Sequence, residues 1–160
     1  MQTGNPQPSV WRITTTDYWA FLALLCPIVW WGMTLALHFL GELPDLRRGR
    51  TITAQEGLAF FLILAGAATA AGLAILLWRI RRVQGIFERG IEVPGQIVRL
   101  GFYRDRGRAE YTYTHLGQTY HAGQALVRNG RTGNLALGGD VTLIVDAENP
   151  HRALIRDLFI

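Results

Sequence analysis

Residues 18–40 read YWAFLALLCPIVWWGMTLALHFL and residues 58–78 read LAFFLILAGAATAAGLAILLW; neither stretch holds a charged side chain. A hydrocarbon core of ~30 Å takes about 20 helical residues to cross, and both runs meet that length. The first is too long for the core of a signal peptide, and its leader carries only Arg12 as a basic residue. The pair predicts a transmembrane helical hairpin. Tyr18, Trp19 and Trp78 stand at run ends, where amphipathic rings favour the membrane interface. Trp30 and Trp31 lie inside a run and are expected to face a partner helix or lipid. Thr53-Ala-Gln-Glu56 fits a capping box at the entry to the second helix. Pro27 is expected to kink the first helix without breaking it.

Arginine placement orients the hairpin. Arg12, Arg79, Arg81, Arg82 and Arg89 flank the two outer ends, against Arg47, Arg48 and Arg50 in the connection. Five against three favours both termini in the cytoplasm.

Composition excludes several chemistries. All 16 basic residues are arginine, so neither Schiff-base catalysis nor a P-loop lysine is available. Ser9 is the only serine and lies in a polar tail, which leaves a serine triad without a nucleophile. Cys26, the single cysteine, sits beside Pro27 in an apolar run with no cation to lower its pKa, so it is expected to be inert. The net charge of +4 gathers largely beside apolar segments. It reads as membrane topology, with no nucleic-acid partner and no small-molecule substrate expected.

The second run carries a belt of small residues: Gly66, Ala67, Ala68, Ala70, Ala71 and Gly72. It includes Gly66-x-x-x-Ala70 and Ala68-x-x-x-Gly72. Small side chains let helices approach closely and gain van der Waals contact, the main attraction available in lipid. Gly66, Ala70 and Gly72 are therefore the candidate partner-binding residues, against either another integral membrane protein or the chain's own first helix. His38 is the one imidazole inside either run. Axial ligation of a haem or pigment is the functional reading. A lone imidazole with no second ligand reads better as a helix-end histidine, so no cofactor and no metal are expected.

From Ile91 the period changes to that of strands. GQIVRLGFY over residues 95–103 predicts a first strand and residues 104–108 a charged turn. Residues 110–121, EYTYTHLGQTYH, alternate aromatic and Thr around Leu116-Gly117, which predicts a hairpin. With those two residues as the turn, Tyr113 faces Tyr120 and shares a face with Tyr111. His115 and His121 then fall on opposite faces, which argues against a zinc pair. Residues 128–134 read as a polar loop. In GGDVTLIVDAENP, residues 138–150, Val141, Leu143 and Val145 alternate as one buried face. Asp146-Ala-Glu-Asn-Pro150 ends that strand by Asx and proline turn chemistry rather than by forming a catalytic or calcium site. Residues 153–155 can return as a last short strand.

Gly95, Tyr111-x-Tyr113, Gly117-x-x-Tyr120, Gly139-Asp140-Val141 and Val145-Asp146-Ala-Glu-Asn-Pro150 followed by Leu154 together resemble domain-of-unknown-function family 3592. The resemblance covers residues 91–155, with a loop at 128–137 longer than the family pattern. It implies a bacterial membrane protein with one or two helices and a small β domain, and no enzymatic activity.

The expected organisation is a polar tail over 1–17, a transmembrane helix over 18–40, a loop over 41–53, a second transmembrane helix with a cytoplasmic extension over 54–86, and a β domain over 91–160. The fold class is an α+β membrane protein: a two-helix transmembrane hairpin followed by a small antiparallel β-barrel or sandwich-like domain. A multi-pass protein of the bacterial inner membrane is expected, with the lipid bilayer and other integral membrane proteins as partners. Its function is non-enzymatic, an accessory or scaffold subunit of a larger assembly. The alternative is a stand-alone envelope module whose β domain binds a protein or anionic lipid through Arg104, Arg106, Arg108, Arg128 and Arg131. An enzyme or a pore needs intramembrane polar groups that the two runs lack.

Overall fold

A computed structural model describes residues 7–44 and 51–160. Arg47, Arg48 and Arg50, which enter the orientation argument, lie outside the described residues. Contacts divide the chain into two units, Leu22–Leu76 and the combination of Met1–Phe21 with Leu77–Ile160.

The first unit is a helical hairpin. Helix α2 (Tyr18–Leu40) continues through Pro27, and helix α3 (Ala54–Arg89) is 36 residues long. Both are long and apolar enough to cross a membrane, and within the chain only 22% and 17% of their most apolar windows are buried. The connection expected as a plain loop over 41–53 contains a short antiparallel ladder. Strand β1 (Glu42–Pro44) pairs with β2 (Thr51–Thr53), placing Leu43 opposite Ile52. Thr53 is thus a ladder residue, and the Ala54 N–H donates to the Gly41 carbonyl at 2.8 Å. A three-residue strand is too short to show a period, so sequence pattern could not reveal this ladder.

In the second unit a five-stranded antiparallel sheet has the order β5-β4-β3-β6-β7. Its strands are β3 (Ile91–Tyr103), β4 (Arg106–His115), β5 (Gln118–Val127), β6 (Asp140–Val145) and β7 (Ala153–Ile155). Leu116 and Gly117 both have positive φ, 48° and 77°, as a two-residue hairpin turn between twisted strands requires. Tyr113 consequently pairs with Tyr120, and their rings stack at 5.8 Å. Thr112 pairs with His121, which keeps His115 and His121 on opposite faces.

The charged turn shrinks to Arg104-Asp105, since Tyr103 already pairs with Arg106. Strand β3 begins four residues before the expected Gly95. Pro94 concealed that start, because proline argues against a central strand. Strand β4 pairs only from Gly95 onward, so no ladder bond is asked of Pro94 on that side. Helix α3 runs to Arg89 rather than to residue 86. The Gly90 that follows lies where a Cβ would stand 2.2 Å from the Ile144 Cγ2, so only glycine fits between the helix end and β6.

The sheet nearly closes on itself. Its two edges, β5 and β7, approach each other, and the Ile155 N–H donates to the Gln124 Oε1 at 3.3 Å. One face gathers Ile97, Tyr111, Leu143, Val145 and Ile155, all fully or almost fully buried. Over residues 143–145 strand β6 is buried on both faces rather than one. Ile144, on the other face, is also 0% exposed, because the end of α3 at Gly90 lies against it.

The stretch expected as a polar tail contains a packed helix, α1 (Val10–Thr16), in which Ile13, Thr14 and Thr16 are buried. The Ser9 N–H donates to the Phe159 carbonyl and the Asn129 side-chain amide to the Thr15 carbonyl. These partners are more than 100 residues away in sequence, so the Thr-rich segment carries no local sign of its burial.

Candidate functional site

The belt residues fall on different surfaces of α3. At Gly72 a Cβ would stand 2.5 Å from the Ala23 carbonyl oxygen and 3.0 Å from the Pro27 Cγ. Pro27 lacks the N–H that would otherwise bond to the carbonyl four residues earlier, which is that of Ala23. Gly72 therefore packs its backbone onto the place that the proline leaves open in α2. Of the two readings weighed for the belt, packing against the chain's own helix is the one seen at this residue. Gly66 has no heavy atom within 4 Å of a Cβ position, and Ala67, Ala70 and Ala71 are exposed. Successive helical residues are 100° apart, so Gly66 and Ala70 share one face while Gly72 points elsewhere. Trp31 donates its Nε1–H to the Thr69 hydroxyl at 3.0 Å, and that hydroxyl donates to the Ala65 carbonyl. One mid-run tryptophan thus serves the hairpin itself.

His38 is exposed and lies edge-on to the Phe39 ring at 5.2 Å. Among the described residues no group of three or more His, Cys, Asp or Glu side chains could hold a metal ion.

In the Asx-rich corner the side chains of Asp146 and Asn149 face their own backbone, while exposed Glu148 pairs with Arg89 at 3.4 Å. Asp146 is 1% exposed, and its Oδ1 accepts the Glu148 N–H at 3.1 Å. The Asn149 Oδ1 accepts the His151 N–H at 3.2 Å, and backbone bonds join Asp146, Asn149 and Arg152 into one tight corner. Two tyrosines hold it from β4: the Tyr111 hydroxyl donates to the Ala153 carbonyl and the Tyr113 hydroxyl to the Pro150 carbonyl. Burial first, and then each one's neighbouring tyrosine, raise both phenol pKa values above the ordinary 10.0.

Sequence reading missed Asp17. It is 3% exposed and lies one residue ahead of α2. Its Oδ1 accepts the N–H groups of Trp19 and Ala20, both at 3.0 Å, an N-cap for that helix. Its Oδ2 pairs with Arg79. The signal available was an Asp immediately before a long apolar run.

A cavity of ≈ 240 Å³ lies at the seam where β5 and β7 approach without a continuous ladder. Arg79, Arg82, Arg108, His151 and Arg152 line it, together with Gln124. Asp17 takes up Arg79, and Glu110 pairs with Arg108 at 2.9 Å. Arg82 and Arg152 enter no ion pair among the described residues, although Arg82 lies over the Trp78 ring at 5.4 Å. Arg82 follows the apolar run by four residues. Burial, then the like charges of Arg79 and Arg152, lower its pKa, while Asp17 and Asp146 oppose that shift. Gln124 is 8% exposed, and its buried Nε2 has no hydrogen-bond partner; the buried Nε of Arg79 has none either. Of the five β-domain arginines that sequence offers for binding a protein or anionic lipid, Arg108 alone reaches this cavity. Arg104, Arg106, Arg128 and Arg131 are exposed elsewhere, the first two beside the Tyr103 ring.

Compared with known proteins, the chain matches no family model, no curated protein and no solved structure.

Proposed function

We propose that the chain is a non-enzymatic integral membrane protein, an accessory or scaffold subunit of a larger membrane assembly. In this reading α2 and α3 cross a bacterial inner membrane, both termini are cytoplasmic, and the β domain stands at the cytoplasmic surface. Other integral membrane proteins pack against the Gly66 and Ala70 face of α3. The resemblance to family 3592 accords with it and adds no chemistry. Neither nucleic acid nor a small-molecule substrate enters.

The observation that carries the reading is the open space at Gly66 beside exposed Ala67 and Ala70. In lipid such a face gains little by staying free, because lipid tails match apolar side chains while close backbone packing needs a second helix. The test is purification in mild detergent. Gly66→Leu and Ala70→Leu are expected to lose stoichiometric membrane-protein partners that the parent retains, with the β domain still folded. A parent that purifies alone, or variants that keep every partner, would sink the accessory role.

The second reading is an envelope module whose β domain meets a protein or anionic lipid, favoured by the exposure of Arg104, Arg106, Arg128 and Arg131. Exposed charges of this kind contribute ~0–1 kcal/mol each, so they would act as a group. Neutralising all four and retaining the partners would exclude this route.

A further inference from the structure

We propose that the seam cavity between β5 and β7 is a binding site for a phosphate-bearing anion, gripped by Arg82 and Arg152 and by the buried side-chain amide of Gln124. Two donors around this cavity lack acceptors. The Gln124 amide is oriented by the Ile155 N–H, which needs the Oε1 as its acceptor, so the Nε2 is the atom left over. That nitrogen is buried and unpartnered, and so is the Nε of Arg79 in the same lining. Buried polar groups are nearly always satisfied, so two orphan donors around one cavity point to an absent acceptor.

Charge narrows the acceptor. Four guanidinium groups line the cavity and two carboxylates neutralise two of them, Asp17 at Arg79 and Glu110 at Arg108. Arg82 and Arg152 remain, close enough that the charge of one lowers the pKa of the other. A water molecule would satisfy the orphan amide but leave that repulsion in place. An oxyanion accepts from both, and planar guanidinium forks match phosphate oxygens two at a time. The volume of ≈ 240 Å³ falls below the ~300–1,000 Å³ of sites for drug-sized ligands, which suits a single phosphate group with its ester stub.

Two sources supply such a group, a free phosphate or the headgroup of an anionic lipid. Arg79 directly follows Trp78, the last residue of one apolar run, and the cavity also includes Trp19, the second residue of the other. A lipid headgroup is therefore within reach if the runs cross a membrane. The lipid source alone rests on that membrane reading, and neither source needs the accessory role.

The test uses the full chain in nanodiscs at fixed ionic strength, read by the midpoint of thermal unfolding. Discs of phosphatidylcholine alone are compared with discs containing phosphatidylglycerol, and inorganic phosphate is titrated into the former against chloride. A saturable upward shift with phosphatidylglycerol, weakened roughly tenfold in apparent affinity by Arg82→Gln with Arg152→Gln, assigns the lipid headgroup. The same behaviour with inorganic phosphate assigns a free anion. Both arginines are exposed, and Arg82→Gln alone serves if the double variant does not fold. Arg81→Gln, an exposed arginine absent from the cavity lining, is expected to leave the shift unchanged. No shift with either probe, or an equal shift in the Arg82 and Arg152 variants, overturns the site.

Discussion

The Tyr111 hydroxyl donates to the carbonyl oxygen of Ala153 at 2.6 Å, tying the middle of β4 to the first residue of β7. Tyr113 does the same to Pro150, so two alternate residues of one strand hold the corner that ends another. The Asx-rich corner is thus a docking point for the sheet's closure.

Tyr111→Phe is expected to cost about 1–2 kcal/mol, because it leaves a buried carbonyl without its donor. A pH effect follows from the same burial. The ordinary tyrosine pKa is 10.0, and the folded value is raised by burial and then by Tyr113. Above pH about 10 the unfolded chain releases the phenol proton while the native chain keeps it, so the stability present below that pH declines as pH rises. The slope is about 1.4 kcal/mol per pH unit for one such phenol. Unfolding midpoints in detergent on either side of that pH should fall less steeply for Tyr111→Phe than for the parent. Equal slopes would mean that Tyr111 is not the group responsible.

Asp17 joins two tasks on one carboxylate, capping α2 and pairing with Arg79. Asp17→Asn retains an acceptor for the cap but strands a guanidinium whose side chain is only 17% exposed. Asp17→Ala loses both roles. Breaking one side of a largely buried pair costs about 3–5 kcal/mol, and the cap about 1 kcal/mol more. The expected stability order is parent, then Asn, then Ala. Adding Arg79→Gln to Asp17→Asn should recover part of the loss, and a double variant no better than Asp17→Asn would count against the pairing.

The parts legible in the sequence were those set by local pattern. Two charge-free runs named the helices, and Leu116-Gly117 between alternating aromatics set the Tyr113 and Tyr120 register. The parts that escaped depend on distant partners. Ile13 is buried in a segment that reads as a Thr-rich tail, and the α1 region is held by residues beyond position 128. The seam cavity draws Arg82, Arg108 and Arg152 from three separate elements or loops, and no spacing rule connects them. Gly72 was legible as small, but its neighbour could not be known until Pro27 was seen opposite it.

Orientation has a direct check. Gly130 is exposed and has no heavy atom within 4 Å of a Cβ position, so Gly130→Cys should fold unchanged. With Cys26→Ser as background and expression in a bacterial inner membrane, an impermeant thiol reagent applied from the periplasmic side is expected to leave position 130 unlabelled. The same site should label after the membrane is opened. Efficient labelling in intact cells would reverse the reading drawn from the arginine count.

The two belt glycines should respond in opposite directions to the smallest possible change. At Gly72 an added methyl would lie 2.5 Å from the Ala23 backbone oxygen, and a carbonyl in a helix cannot turn aside as a side chain can. Gly72→Ala must push the helices apart, at a cost on the order of 1–3 kcal/mol typical of overpacking. At Gly66 the added methyl meets nothing in the chain. Gly66→Ala there exchanges a poor helix former for the best one, a gain of up to ~1 kcal/mol in soluble helices and less in lipid, where the helix is already favoured. Detergent-resistant helicity measured against denaturant should therefore fall for Gly72→Ala and hold or rise for Gly66→Ala. A partner seated closely on Gly66 would reveal itself as a third pattern: the isolated chain unharmed by Gly66→Ala, the co-purified assembly weakened. If Gly72→Ala were as stable as the parent, the packing of α3 on the proline-opened turn of α2 would be wrong.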